Sequence, residues 1–333
     1  MNRIVGIAIL MASFSVGWLW MLFESAVDTP LIKDRPAYVD VKKGDSFGRI
    51  TNMLVEKGIL TKPLWFKFLA YKDGLSGRLK AGEYELPVGI TARQILALIV
   101  SGRARQHAVT FVEGWNFKQI MDIISRQPAL KHNLAGKTHA EVMAMIGAQE
   151  SHPEGLFFPD TYFFTKGTKD VELLKRAYAK MQTVLGKAWS ERADGLPLDS
   201  PYQALILASI VEKETGQDDE RPIIAGVFIR RLRKGMLLQT DPTVIYGLGD
   251  SFDGDIRFAD LHADTPYNTY VKPGLPPTPI AMPSAASVRA VLHPAEGSSL
   301  YFVGKGDGTH VFSTTLKDHN MAVDLFQRKK PAP

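Results

Sequence analysis

The sequence predicts an α+β protein with a single N-terminal transmembrane helix, a small mixed module and a larger mixed α/β domain. Three observations carry that prediction. Residues 4–23 form an uncharged, mostly apolar run of twenty residues, long enough as a helix to cross a bilayer core of roughly 30 Å. Three later segments share an order of extended stretch, glycine, capping residue and helix. From residue 108 onward, helical and extended patterns alternate between loops rich in proline and glycine.

The first run contains Trp18 and Trp20 and reads as a membrane anchor. A cleaved signal peptide is the rival reading, but its apolar region usually spans only about 7–15 residues. Arg3 and the amino terminus favour an inside start, whereas Lys33 and Arg35 on the far flank weaken the positive-inside bias. The expected layout is a short cytoplasmic N-terminus (1–3), a span (4–23) and a tether (24–36) containing Pro30 and Pro36, with everything beyond it outside the membrane.

Past the tether, V-D-V-K-K-G-D-S-F-G-R-I-T-N-M-L (39–54) aligns with V-T-F-V-E-G-W-N-F-K-Q-I-M-D-I-I (109–124) and with the shorter V-G-I-T-A-R-Q-I-L-A-L-I (88–99). Gly44, Gly89 and Gly114 are each followed two residues later by Ser46, Thr91 or Asn116, and then by Ile50, Ile95 or Ile120. The physical reading is strand, tight turn and capped helix. Such units occur in many α+β proteins, so the spacing alone leaves open whether this is a true repeat. Either way it defines a small module at 37–105, closed by Gly102 and the basic, polar stretch 103–107.

In the remainder, 171–184 and 221–234 read as amphipathic helices, with Arg230, Arg231, Arg233 and Lys234 suiting the C-terminus of the second. Residues 200–216 form an apolar helix in which Ser200 is the N-cap, Pro201 takes the first position, Gln203 completes a capping box and Gly216 supplies the stop. Only Ser209 interrupts its apolar character over 204–211, so the helix is expected to be buried. Asp241 and Pro242 read as N-cap and first helical residue of a short helix to Gly247. Six prolines within 265–283 demand a structured loop. Residues 300–303 and 310–312 read as a hairpin turning at Gly306-Asp307-Gly308.

Composition narrows the chemistry. The 333 residues, 45% hydrophobic and 23% charged, suffice for one large or two modest cores. The absence of cysteine excludes disulfides, thiolate metal sites, a cysteine nucleophile and lipoprotein attachment. A net charge of +5 favours anionic polymers or lipid surfaces, yet no basic run is interleaved with aromatics, so no nucleic-acid partner is expected. His293, His310 and His319 are too scattered for a metal box, H-E-x-x-H and G-x-S-x-G are absent, and G-K-G-D-G (304–308) lacks the phosphate-loop spacing. No metal or cofactor is expected.

The apolar helix carries Glu212 and Glu214 in its last turn. Behind Glu214 on the same face lie Val211, Ile210 and Leu207; behind Glu212 lie Ser209, Ala208 and Leu205. Burial and the negative end of the helix dipole both raise the pKa of a carboxyl placed as Glu214 is, which suits a general acid. The competing reading is an ordinary solvated helix end, with both acids flanking Lys213. Gln239, Thr240 and Asp241, together with Tyr267, Asn268, Thr269 and Tyr270, sit on stiff loops and offer the amides, hydroxyls and rings a sugar cleft uses. They are equally the residues turns and caps use.

A-S-I-V-E-K-E-T-G (208–216), L-Q-T-D-P-T-V-I-Y-G-L-G (238–249), P-Y-N-T-Y-V-K-P-G-L-P-P-T-P-I-A-M-P-S (266–284), E-G-L-F-F-P-D-T-Y (154–162) and Y-F-V-G-K-G-D-G-T-H-V-F (301–312) resemble the endolytic murein transglycosylases, the YceG-like family. That resemblance implies an inner-membrane, single-pass protein with a LysM-like module over 37–105 and a periplasmic catalytic domain over 106–333. It implies a lytic transglycosylase acting on peptidoglycan, with the second acid of E-K-E, Glu214, as catalytic residue and Glu212 in support. Gln239, Thr240, Asn268, Thr269 and Tyr270 would line glycan subsites, with Asp241 either touching sugar or capping its helix. Penicillin-binding proteins and other wall-synthesis or division proteins are the implied partners. Two further readings stand beside it: a hydrolytic muramidase pairing Glu214 with Asp241 or Asp218, and a non-catalytic glycan-binding scaffold.

Overall fold

The computed structural model describes residues 2–328. Met1 and residues 329–333, the ends of the expected cytoplasmic N-terminus and of the 106–333 domain, lie outside the described residues. Mixed α+β architecture is present: twelve α-helices and three two-stranded sheets among the described residues. Contacts divide the chain into two compact units, one running to His107 and including Phe163–Gly167, the other comprising Ala108–Tyr162 and Thr168 onward.

The first unit begins with α1 (Asn2–Asp28), one helix long and apolar enough to cross a membrane. It continues through β1 (Ala37–Val41), α2 (Phe47–Glu56), α3 (Pro63–Lys72), β2 (Gly82–Leu86) and α4 (Ala92–Ser101). β1 and β2 pair antiparallel with Val39 opposite Tyr84. Their inward residues Val39, Val41, Tyr84 and Leu86 join Ile50, Leu54, Phe66, Leu69, Ile95 and Ile99 in one core. Alternation along the strands and 3.6-residue spacing along the helices put those side chains on one side. Tyr84 is fully enclosed because its hydroxyl donates to Lys80 O at 2.7 Å.

The expected tether at 24–36 takes a different form. α1 runs unbroken to Asp28, and Phe23, Val27 and Ile32 are core residues of this unit. Phe23 and Val27, four apart, share a helical face, and burying them outweighs leaving the segment free. Arg93 fixes that end by bonding Glu24 (2.6 Å) and Asp28 (2.8 Å), and Leu31 N donates to Ile90 O.

The second unit contains α5 (Phe117–Ser125), α6 (His139–Ile146), α7 (Asp170–Ser190), α8 (Pro201–Glu214), α9 (Arg221–Arg233), α10 (Asp241–Leu248), α11 (Ala285–Leu292), the hairpin β5 (Tyr301–Gly304) and β6 (His310–Ser313), and α12 (Leu316–Phe326). β3 (Gln106–Thr110) and β4 (Thr161–Thr165) form a two-stranded sheet of their own. α8 is the central helix, packed by α11, α9 and α7. Its residues 204–211 are all buried, as a helix apolar on every side requires. Ser209 is accommodated because its hydroxyl donates to Ile206 O and accepts from Ile280 N at 3.0 Å.

All three glycine–cap–helix units form. Gly44, Gly89 and Gly114 take positive φ of 92°, 85° and 73°. Ser46, Thr91 and Asn116 cap α2, α4 and α5, the last two as full capping boxes with Gln94 and Gln119. Ile50, Ile95 and Ile120 are each at most 1% exposed. Ile120→Ala should therefore lower stability by about 2–5 kcal/mol through the cavity it leaves, and Asn116→Ala by only about 1 kcal/mol through loss of the cap. Urea denaturation midpoints of the detergent-solubilised chain test both, and equal effects would contradict the assigned roles.

Candidate active site

α8 delivers its two acids to different surroundings. The helix starts as expected at Ser200, whose hydroxyl accepts from Gln203 N at 3.3 Å. The return half of the capping box does not form, because the Gln203 side-chain oxygen accepts from Asp199 N at 2.9 Å instead. The stop also falls earlier than Gly216: Thr215 is already extended (φ −147°, ψ 141°), and its hydroxyl accepts from Gln217 N. Turn chemistry from the threonine replaces a left-handed glycine.

Glu212 is structural. One of its carboxylate oxygens accepts from Ser284 N (2.9 Å), Ser284 Oγ (2.5 Å) and Ser287 Oγ (2.7 Å), which places a negative charge over the N-terminus of α11. Glu214 instead lines a cavity of about 420 Å³. Its side chain is open to that cavity and only partly enclosed, yet the surrounding protein is dense enough that desolvation pushes its pKa up to about 7. A hydrogen bond from the Thr240 hydroxyl to Oε1 works against that rise, whereas the nearby Asp241 charge adds to it.

Thr240 is held by a chain of hydroxyls. Its N–H donates to Thr269 Oγ1 at 3.1 Å, and its carbonyl accepts from Thr243 Oγ1 at 2.7 Å. Since the Thr243 proton is thus committed, the 2.9 Å contact between Thr243 and Thr269 is donated by Thr269. The preceding residue, Gln239, has φ +50°, the left-handed region that side chains rarely adopt. Its N–H donates to Thr269 O at 3.1 Å, and Arg231 reaches its side-chain oxygen at 3.4 Å. The strain of that conformer, of order 1–2 kcal/mol, is held at the cavity wall.

Among the expected subsite residues, the structure brings Gln239, Thr240, Asp241 and Tyr270 to the cavity around Glu214. It places Asn268 and Thr269 behind the wall, which corrects their expected role as lining residues. Asn268 is fully buried, its amide N–H groups spread over the carbonyls of Asp260, Leu261 and Ala263, and its oxygen takes Tyr270 N. Thr269 is 1% exposed with its hydroxyl committed to Thr240 and Thr243. Asp241 is not the N-cap: the helix boundary sits at Thr240, and no side chain caps it. Its carboxylate accepts from Tyr270 OH at 2.5 Å, and the two form one polar patch of the lining. Asp218 lies elsewhere, 90% exposed and paired with Arg221.

Three contributors are not apparent in the sequence reading. Arg231, expected only to suit the C-terminus of its helix, is 6% exposed and donates to Leu300 O (2.7 Å), Leu238 O (2.9 Å) and Leu237 O (3.1 Å), with its guanidinium over the Tyr301 ring. The signal for it was present, since Ile224, Phe228 and Arg231 share a helical stripe. His310 also lines the cavity, oriented by Glu220, which accepts from its backbone N (2.8 Å) and pairs with Nδ1 (2.6 Å). α12 supplies His319, Asn320 and Val323, with His319 stacked on Tyr301. His310 and His319, two of the three histidines scattered in the sequence, are thus neighbours of one cavity, whereas His293 is not part of its lining.

Comparison with known proteins places the chain in a family. The model of the YceG-like family matches residues 39–325. A Bacillus subtilis (strain 168) protein named "Endolytic murein transglycosylase" is 31% identical over 93% of this chain and 90% of its own length. A protein of the same name from Streptococcus pneumoniae serotype 2 is 25% identical over 96% of this chain, which spans 63% of that longer relative. A crystal structure of a yceG-like protein from Listeria monocytogenes, 30% identical, covers 86% of this chain and 98% of its own with a TM-score of 0.55. The chain belongs to the YceG-like family.

Opposite substitutions test the electrostatics. Thr240→Val removes a hydrogen bond that favours the ionised form and should move the Glu214 titration above about 7, whereas Asp241→Asn removes a like charge and should move it below. NMR titration of side-chain-labelled glutamate reads both shifts. Glu212→Ala should lower stability by about 2–3 kcal/mol by stripping charge-assisted hydrogen bonds from α11, while Glu214→Gln should not. Chemical denaturation at neutral pH distinguishes the two acids.

Proposed function

We propose that this chain is an endolytic murein transglycosylase that cleaves the β-1,4 bond between N-acetylmuramic acid and N-acetylglucosamine and leaves a 1,6-anhydromuramyl end. One observation carries the reading: Glu214, with its pKa raised to about 7 by desolvation, opens into a cavity lined by Gln239, Asp241, Tyr270 and Tyr301. A carboxyl poised near neutrality serves as acid in one step and base in the next. The names of the related proteins supply the substrate class.

In this mechanism Thr240 occupies Oε1, so the proton of neutral Glu214 resides on Oε2. That proton passes to the bridging oxygen as the bond from C1 to it breaks. The muramic acid 6-hydroxyl attacks C1 and returns its proton to the Glu214 carboxylate, so no water is consumed and the acid is regenerated. Having the nucleophile on the substrate provides the proximity that free water lacks. Asp241 and Tyr270 are assigned to hold sugar hydroxyls, and Arg231 to fix the loop that carries Gln239.

α1 is assigned as the membrane anchor, with the remainder of the chain in the periplasm. The order β1, α2, α3, β2 supports a LysM-like glycan-holding module at 37–105, and the residues from 106 onward carry catalysis. Termination of nascent strands beside penicillin-binding synthases is the cellular role the family resemblance supports.

A hydrolytic muramidase is the second reading, favoured by one observation: Asp241 shares the cavity with Glu214, and hydrolysis generally uses two carboxylates. Mass spectrometry of glycan digested by the full chain separates the two, since hydrolysis products carry one additional water. Anhydro ends are expected from wild type and from Asp241→Asn. Glu214→Gln should lower the rate about 10²–10⁴-fold. Because the acid must start protonated, activity should fall as pH rises through about 7, and Asp241→Asn should shift that fall to lower pH. Undiminished anhydro product from Glu214→Gln would overturn the assignment.

A further inference from the structure

α3 is apolar on two opposite sides. Phe66, Leu69 and Ala70 are buried at 1% exposure or less in the core of the first unit. Leu64, Phe68 and Tyr71, spaced i, i+4 and i+7 on one stripe, are 79%, 47% and 66% exposed. A soluble helix buries one apolar face and offers a polar one to water; here the second face is as greasy as the first. Its flanks carry Lys67 and Lys72, and the helix contains no acidic residue.

This face is continuous with the apolar surface of α1. The Phe23 ring meets Phe68 edge-on at 5.1 Å and Trp65 at 5.9 Å, and Trp20 lies 5.4 Å from Phe23. Lys72 Nζ sits 5.1 Å from the centre of the Trp20 ring. α3 therefore lies at the level of Trp20 and Phe23, the outer end of the apolar run, where tryptophan and tyrosine concentrate at a bilayer surface. The junction is rigid, since Arg93 clamps Glu24 and Asp28 and Val27 is fully buried.

We propose that α3 lies in the headgroup layer of the membrane that α1 enters, so that the first unit is seated on lipid rather than held off it. The inference rests on the assignment of α1 as a membrane anchor. Leu64, Phe68 and Tyr71 enter the boundary between headgroups and acyl chains, roughly 5–10 Å deep, as interfacial helices do. Lys67 extends from one flank to anionic headgroups, while Lys72 on the other stays over the Trp20 ring and beside Asp73 at 3.5 Å. A lipid surface is favoured over a protein partner because the apolar stripe is bordered by cations and adjoins the span itself.

The chain has no cysteine, so single-site labelling tests this directly. Leu64→Cys, Phe68→Cys and Tyr71→Cys in the full chain are labelled with an environment-sensitive nitrobenzoxadiazole dye. Each is reconstituted into phosphatidylethanolamine and phosphatidylglycerol vesicles with or without a shallow doxyl-quencher lipid. Ile9→Cys within the span is the positive control. Glu85→Cys is the negative one, because Glu85 is exposed on the face of β2 opposite the enclosed Tyr84. Loss of most emission to the quencher is expected at 64, 68, 71 and 9, with emission retained at 85. Quenching at Ile9→Cys with none at the three α3 sites would overturn the inference while leaving the anchor intact, and would mean that α3 faces water or another protein. Equal quenching at Glu85→Cys would overturn it as non-specific adsorption. No quenching at Ile9→Cys would remove the anchor, and the inference with it.

Discussion

Desolvation of the Glu214 carboxyl, opposed first by the Thr240 hydroxyl and then by the nearby His310 and Arg231, is the constraint on which the candidate site depends. Left in water, the group would ionise far below neutrality and have no proton to give; sealed completely, it could not reach a substrate. The structure places it between these limits, in a dense wall that opens onto a cavity of about 420 Å³. The Thr240 hydroxyl then sets how far the desolvation prevails, and Thr240 in turn is fixed by Thr243 and Thr269. Residues that never meet the cavity thus determine its chemistry.

The central helix separates its two acids by a rotation of two residues. Glu212 turns toward α11, where two serine hydroxyls and a backbone N–H satisfy its charge. Glu214 turns toward the loop after α9, where it meets one hydroxyl and a neighbouring carboxylate. Identical side chains acquire a structural and a chemical character from environment alone, as buried carboxyls generally do. The strained Gln239 backbone and the buried Arg231 belong to the same arrangement: Arg231 gathers the carbonyls of Leu237 and Leu238 and so holds the loop on which Gln239 and Thr240 sit.

Much of the local structure was legible because it rests on short-range rules. The three glycines of the repeated unit, their caps and the buried isoleucines four residues further on all follow from turn and cap chemistry read along the chain. The burial of α8 and the hairpin at Gly306-Asp307-Gly308 follow the same way. Where two local solutions are nearly equivalent, the fold takes the one that local rules do not single out. Gln203 bonds Asp199 rather than the cap, and Thr215 rather than Gly216 ends α8. The prolines of 24–36 suggest a tether, but Val27 and Ile32 find apolar partners far along the chain.

By itself the sequence determined an apolar N-terminal helix, a set of capped α/β units, the absence of any cysteine chemistry, and a glutamate on the greasier face of a buried helix. The capped units and the placement of that glutamate depend on residues within one or two turns of one another, and the other two are properties of composition along the chain. Only the tertiary structure decided that Asn268 and Thr269 stand behind the cavity wall, that Asp241 meets Tyr270 instead of capping α10, and that Arg231, His310 and α12 complete the site. Those assignments rest on hydrogen bonds between residues up to about ninety positions apart, such as His310 with Glu220. Partners so distant are selected by packing of the whole unit, and no local periodicity records them.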